Sequence, residues 1–365
     1  MYIIDKTLNL LERKNNKVLI NSKKSSKSLW LSYDLWKYLY TNLGMKVKGE
    51  NFNEFKTEEL KKLISFNFVF NENLLQLKKI NLFGESSKTA NNTENIILVG
   101  YDSGNSISHG SRESPKYIKK ISEAYRTEKY DNDNLKGWLI PDLWGGNKYL
   151  LNNSNINSYQ INGYYLDFLD TLSNKLSEFS NFWLVGGDHS ITYSGIKSLI
   201  QAGKKDIVLI YFDAHIDGGI EKKNVTNTNQ ISKILSFPEV TKVYQIGRRG
   251  VFSSLNTQNV KNSKFLFLNS TSELPYSEIE NSTIYCSIDL DILDPSVAKA
   301  VSAPVPNGFS LKDLENELKN LYDFSHIDYG DITEYQPQKD DSLITGQIII
   351  RLLLLGLSIS SCKIE

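Results

Sequence analysis

Four short segments of this chain are rich in residues that hold cations. They are Gly186-Gly187-Asp188-His189-Ser190, Asp213-Ala214-His215-Ile216-Asp217, Ser287-Ile288-Asp289-Leu290-Asp291 and Glu334-Tyr335-Gln336-Pro337. Read together, they could bind two divalent ions through shared carboxylates. Such a pair turns water into a nucleophile at neutral pH, which points to a hydrolase. In an extended segment the alternate positions Asp213, His215 and Asp217 face one way, and Asp289 and Asp291 repeat that spacing. His189 follows two glycines, which let a backbone turn tightly beside a ligand. Six ligands serve two ions only if carboxylates bridge. Carboxylates mixed with imidazoles suit manganese better than a thiolate-seeking ion. Taken singly, each motif is weak: Asp-x-His is commonly a surface loop, and Gly-Gly-Asp-His-Ser can be a capped turn. Their joint occurrence in a chain with 4 His carries the reading. His109 and His326 are not assigned to metal.

These motifs need a scaffold that brings distant segments together. The first three each follow an apolar run that reads as a buried strand. Ile96–Gly100, Trp183–Val185, Ile207–Phe212, Lys242–Ile246, Lys264–Leu268 and Thr283–Ile288 are the expected strands. Helical spacing marks Pro115–Tyr125, Tyr164–Phe179, Ile191–Gln201, Leu311–Leu321 and Ile344–Leu357. This alternation predicts an α/β fold with a doubly wound parallel sheet covered on both faces. Sites in such sheets lie beyond the carboxyl ends of the strands, where the motifs fall.

The motif set resembles the ureohydrolase family of arginases and agmatinases. The resemblance rests on the four segments above, on the continuation through Asp294-Pro295 and then Ala303 to Gly308, and on two early segments, Gly100 to Asp102 and Gly110 to Pro115. It implies a three-layer α/β/α fold with two Mn2+ ions. His189, Asp213, Asp217 and Asp289 would hold one ion, and Asp213, His215, Asp289 and Asp291 the other. Asp213 and Asp289 would bridge. Water activated there would attack a guanidinium carbon, and the intermediate would collapse to urea and an amine. Glu334 would bind and orient the guanidinium, so Glu334 and Asp213 carry the catalytic expectation. One departure stands out. Relatives place a proton-moving His in the loop after Asp217, and Asn227 stands there instead, a substrate contact that cannot carry a proton.

The front of the chain reads differently. Residues 1–83 form a predicted small winged-helix-like unit, 84–95 a linker rich in Asn, Ser, Thr and Lys, and 96–365 the catalytic domain. Leu8–Leu11 and Val18–Asn21 flank a turn-like Lys14-Asn15-Asn16, which reads as a hairpin. Ser32 is placed to cap a helix ending near Gly44, Phe52 to Ile64 continue helical spacing, and Phe68–Phe70 reads as a strand. The outline resembles the leader-peptide recognition element of ribosomal-peptide modification enzymes. That implies arginine within a peptide as substrate, ornithine within it as product, and a leader peptide as partner of the front unit. A small guanidino substrate (arginine, agmatine or another guanidino acid) and a catalytically weak metal- and peptide-binding protein are the alternatives. A structural cap or a homo-oligomer contact is the plainer use of the front unit.

Composition narrows the classes. Hydrophobic residues make up 40% and charged residues 23%, the balance of a globular protein. Lys plus Arg and Asp plus Glu both number 42, but residues 1–95 carry 16 basic against 10 acidic side chains. A basic front end suits an acidic partner. No zinc-finger spacing or RNA-binding aromatic motif supports nucleic acid. The longest apolar stretch, Ile348–Leu357, is broken by Arg351 and is too short for a membrane. The 2 cysteines imply no disulfide framework, and no signal-peptide core opens the chain, so a cytoplasmic location is expected.

Overall fold

The computed structural model describes residues 2–5, 8–22, 28–55, 57–65, 68–71, 76–83, 94–105, 110–125, 156–163, 168–219, 224–251, 260, 262–325 and 327–361. His109, His326, Cys362 and most of the expected linker lie outside these residues. The chain divides into two compact units. One comprises Met1–Gln76 with Asn162–Phe168, the other Leu77–Ile161 with Leu169–Glu365.

The smaller unit holds two 3-stranded sheets. One is built from β1 (Tyr2–Ile4), flanked by β5 (Lys46–Val47) and β6 (Val69–Asn71). The other places β3 (Lys17–Ser22) between β2 (Leu8–Lys14) and β4 (Ser28–Ser32). The expected hairpin is present, and Asn15 takes a left-handed φ of 52° in its turn. Alternation along β3 and β4 buries Val18, Ile20, Leu29 and Leu31 on one face. They pack with Leu35 and Leu39 of the helix Tyr33–Thr41 and Leu63 of the helix Thr57–Ser65. Between these two helices Gly49–Phe52 forms only a short 3-10 turn, so the helical spacing expected from Phe52 to Ile64 yields one helix that starts at Thr57. Ser32 makes no side-chain cap. It ends a strand that sequence spacing did not reveal, and its N–H and hydroxyl both turn to Glu59.

The larger unit is organised by a 9-stranded sheet in the order β13-β12-β11-β14-β15-β10-β8-β9-β7. Its strands are β7 (Lys78–Ile80), β8 (Glu94–Gly100), β9 (Ile156–Asn162), β10 (Phe182–Val185), β11 (Ile207–Phe212), β12 (Val240–Ile246), β13 (Phe265–Leu268), β14 (Thr283–Asp289) and β15 (Tyr329–Thr333). The run from β13 to β8 pairs in parallel throughout, and β7 joins antiparallel to β9. Continuous apolar runs form the middle strands because both faces are covered; every residue of β11 is buried. Leu314, Leu318 and Leu321 of the helix Leu311–Phe324, and Ile349, Leu353 and Leu357 of the helix Ile344–Ser361, join that core. All six expected strands of this sheet are present within two residues. The front unit was drawn through residue 83, but β7 hydrogen-bonds within the large sheet. Among the described residues, no helix is long and apolar enough to cross a membrane.

Topology decides where a site can form. The chain places β9 beside β8 toward one edge and β10 on its other side, crosses to β11, runs out to β13, then returns to fill the gap with β14 and β15. Four neighbouring strands, β11, β14, β15 and β10, therefore present their carboxyl ends together. Each is followed by one of the four motifs.

Candidate metal centre

His189 leaves the loop after β10, where Gly186 and Gly187 adopt φ of +93° and +80°. A side chain on Gly186 would collide with the Ser114 hydroxyl, so the tight turn requires glycine there. Asp188 caps the turn through the Ser190 N–H at 3.1 Å and the Ser190 hydroxyl. The turn carries the buried imidazole of His189 against the ends of β11 and β14. Its Nδ1 lies 3.0 Å from Asp213 Oδ2, 3.1 Å from Asp217 Oδ2 and 3.1 Å from Asp289 Oδ2. None of these contacts has hydrogen-bond geometry, so His189 Nδ1 and Asp213 Oδ2 are buried without a hydrogen-bond partner. A lone pair and carboxylate oxygens converging on one point fit a cation.

The far side of the imidazole fixes its proton. Ser287 Oγ donates to Asp331 Oδ1 at 2.6 Å, and Tyr285 donates its hydroxyl to Asp331 Oδ2 at 2.8 Å. With its only proton spent on Asp331, Ser287 must accept from His189 Nε2, which lies 3.0 Å away. With a metal ion bound, the ring would be neutral, its lone pair on Nδ1 on the side of the three carboxylates. Outer carboxylates that orient a ligating imidazole in this way are a general device of metal sites. Sequence reading missed Asp331. The signal was a buried acid inside a strand, and Gly330 beside it broke the apolar pattern that would have revealed the strand.

A second group forms on the other side of Asp213. Ligand atoms of Asp213, His215 and Asp291 lie within 4.8 Å of one another, as do those of His189, Asp213 and Asp289. Asp213 belongs to both. His215 Nδ1 is 2.7 Å from Asp291 Oδ2 and 3.7 Å from Asp213 Oδ1. Asp289, expected to bridge like Asp213, sits in the first group only, and its Oδ1 accepts the Asp291 N–H at 2.9 Å. The convergence also has a different cause from the one expected. The segment after β11 is not extended: Asp213 Oδ1 accepts the His215 N–H at 2.5 Å, and Asp217 takes a left-handed φ of 51°. Self-bonded aspartate turns, rather than strand alternation, fold these ligands inward. Gln245 on β12 holds this turn from beneath through the carbonyls of Asp213, at 3.2 Å, and His215.

The electrostatics report crowding. Burial raises Asp213, and the charges of Asp291 and Asp217 push it further, to about 6. Asp289 is held well above the usual carboxylate range by burial and by Asp291. Burial opposes a charge on His215, but hydrogen bonds to Asp213 and Asp291 win and push it up to about 12. Burial likewise opposes a charge on His189, and its three carboxylates override that. Each imidazole thus holds a proton where a metal ion would otherwise neutralise the carboxylates. Burying uncompensated charge costs several kcal/mol per ion, so the donor set fits divalent cations better than none.

Glu334 adjoins the first group. It follows β15 with a left-handed φ of 66°. Its Oε1 accepts the backbone N–H of His189 at 2.8 Å and Nδ2 of Asn227 at 3.2 Å. Its Oε2 accepts Nδ2 of Asn105 at 3.1 Å and the Ser302 hydroxyl. Burial raises its pKa against the pull of Ser302 and the His189 N–H. Asn227 therefore does reach the expected substrate carboxylate. Asn105 and Ser302 were missed, since nothing local in sequence marks them. The early region is an ion pair: Asp102 receives Arg112 Nε at 2.6 Å and the Gly110 N–H at 2.8 Å.

Comparison with known proteins identifies the family and the fold. The Arginase family model matches residues 94–356. Mitochondrial arginase of Medicago truncatula is 29% identical over 166 residues, 43% of this chain and 48% of that protein. The chain thus spans about half the length of the curated arginases it matches. Proclavaminate amidinohydrolase of Streptomyces clavuligerus is 23% identical over 270 residues, 69% of this chain and 83% of that protein. Among solved structures, formimidoylglutamase of Bacillus subtilis superposes with a TM-score of 0.62 at 19% identity, covering 77% of this chain and 91% of its own. The superposition bears out the arginase-like α/β fold, and with the family match over most of its length, the chain belongs to the Arginase family.

Proposed function

We propose that the protein is a ureohydrolase with two Mn2+ ions that cleaves a guanidino group to urea and an amine. The carrying observation is the pair of ligand groups sharing Asp213, with Glu334 hydrogen-bonded to the His189 backbone beside them. His189, Asp213, Asp217 and Asp289 would hold one ion, and Asp213, His215 and Asp291 the other. When bound, the ions lower the pKa of water and supply the nucleophile. The Ser287–Asp331 relay keeps His189 Nδ1 unprotonated and aimed. Glu334 pairs with the guanidinium, which stays charged at all working pH and is a poor electrophile until held by a carboxylate. Asn227 touches Glu334 but cannot carry a proton, so the departing amine takes its proton from water or another group.

The substrate we infer is arginine within a peptide, converted to ornithine in place. The smaller unit supports this reading. It exposes Leu10, Leu11 and Trp30 on β2 and β4, and β2 and β4 are the outer strands of their sheet, the position at which an extended peptide adds as a strand. Lys14 lies 5.8 Å from the Trp30 ring and Arg13 3.8 Å from the Tyr33 ring, a basic and aromatic surface suited to an acidic leader segment. A cytoplasmic location completes this proposal. A small guanidino substrate is the second reading, favoured by similarity to proclavaminate amidinohydrolase over 69% of the chain.

The test is urea release by manganese-loaded protein from arginine-containing peptides and, in parallel, from free arginine. Urea from peptides alone is expected. Urea from free arginine at an equal rate would transfer the assignment to a small-molecule enzyme. Metal binding with no urea from either would leave a binding protein.

A further inference from the structure

Glu334 has two oxygens with two lone pairs each, and all four are occupied. On each oxygen one donor is an asparagine amide. The His189 backbone N–H is built into the turn after β10, and the Ser302 hydroxyl is held in place by Gln336 Nε2 at 2.7 Å. The asparagine donors are the amide tips of Asn227 on Oε1 and Asn105 on Oε2, and Asn105 Nδ2 also donates to Ser302 Oγ at 2.9 Å. Their loops are tied together, since the Asn227 N–H donates to the Gly104 carbonyl at 3.1 Å. Glu334 is 3% exposed, Asn105 8% and Asn227 9%, so bulk water does not compete freely for the carboxylate.

A guanidinium pairs with a carboxylate through two parallel N–H donors, one to each oxygen. It therefore needs one lone pair on Oε1 and one on Oε2, which is the pair the two asparagines hold. We propose that Asn105 and Asn227 guard Glu334: their amides hold the two lone pairs a guanidinium needs and are displaced when it binds. The inference rests on the reading of Glu334 as the guanidinium-binding carboxylate. Urea presents the same planar fork as the substrate, but without charge. Exchanging two neutral amide donors for two neutral urea donors gains nothing. Both exchanges keep the charged acceptor, but guanidinium brings its own positive charge as well, so only guanidinium gains. The charge of Glu334 thus favours substrate over product, the asparagines weaken both ligands alike, and they return to Glu334 as urea leaves.

The experiment is calorimetric binding of guanidinium ion and of urea to the manganese-loaded protein, its Asn105→Ala/Asn227→Ala double variant and Glu334→Gln. In the double variant both ligands should bind about tenfold tighter, because neither has an amide to displace. Urea, weak on the parent protein, should become a measurable ligand. Unchanged or weaker binding in the double variant would overturn the proposal while leaving Glu334 in its role. Guanidinium binding that survives Glu334→Gln undiminished would overturn the reading of Glu334 itself, and the proposal with it. Should the double variant fail to fold, each single variant is expected to gain about threefold. In the parent protein, guanidinium should shift the side-chain amide resonances of Asn105 and Asn227, and urea at equal concentration should not. Unmoved resonances under saturating guanidinium would contradict displacement without recourse to any variant.

Discussion

The two ligand groups that share Asp213 are built differently. Around His189 the ring, Asp213 and Asp289 are buried and Asp217 is nearly so, the ring is oriented from behind by Ser287 and Asp331, and Nδ1 has no hydrogen-bond partner. Around His215 the side chain is 33% exposed and its Nδ1 already contacts Asp291 at 2.7 Å. The first group is preorganised for a cation, and without one its imidazole is the only positive charge among three carboxylates. The second satisfies itself with an internal ion pair that a cation must break. Two positions made from one repeated Asp and His vocabulary should therefore differ in affinity, the His189 side binding tighter.

The largest expected effect tests the shared member. Asp213→Ala should remove both ions and abolish urea release, as read by metal analysis and a urea assay. Glu334→Gln keeps the shape and removes the charge. It should leave metal content intact and lower turnover by about 10²–10³-fold, the scale of losing one preorganised electrostatic contact. Asp331→Ala breaks the relay behind His189. It should weaken the tighter ion by about 10–100-fold while sparing the weaker one, which separates orientation from general damage. If Asp331→Ala weakened both ions equally, the distinction between the groups would be lost.

Acidity sharpens the same contrast with smaller effects. Metal-free, Asp213 is raised to about 6 and His215 to about 12, so each holds its proton more tightly folded than unfolded. Stability of the metal-free protein should then rise as pH falls from about 8 to about 6 through His215, and further below about 6 through Asp213, seen as a higher melting temperature. Manganese reverses the sign, because ligands must release protons to bind it. Affinity should fall over that interval, and binding should liberate protons measurable in buffers of different ionisation enthalpy. A metal-free protein that gained stability toward alkaline pH would contradict the crowded-carboxylate account.

Much of this was legible in the chain. Continuous apolar runs such as Ile207–Phe212 can only be buried strands, and polar residues directly after them mark strand ends at a shared face. The four motifs therefore marked both the candidate ligands and their meeting place. What escaped was set by contacts between distant residues. β15 reads poorly as a strand because Gly330 and Asp331 interrupt it, yet Asp331 belongs there as the acceptor for Tyr285 and Ser287. Asn105 and Ser302 meet at Glu334 from positions nearly 200 residues apart, and no local spacing encodes that. The alternation expected across Asp213 to Asp217 failed for a local reason, since aspartate side chains bonded to nearby backbone N–H groups form turns.

The most direct test of the shared-carboxylate centre is a manganese titration of the parent protein beside Asp213→Ala, with urea release followed in the same samples. The account predicts two ions of unequal affinity per parent chain, and neither tight binding nor urea in the variant. A variant that still bound two ions and released urea would contradict it.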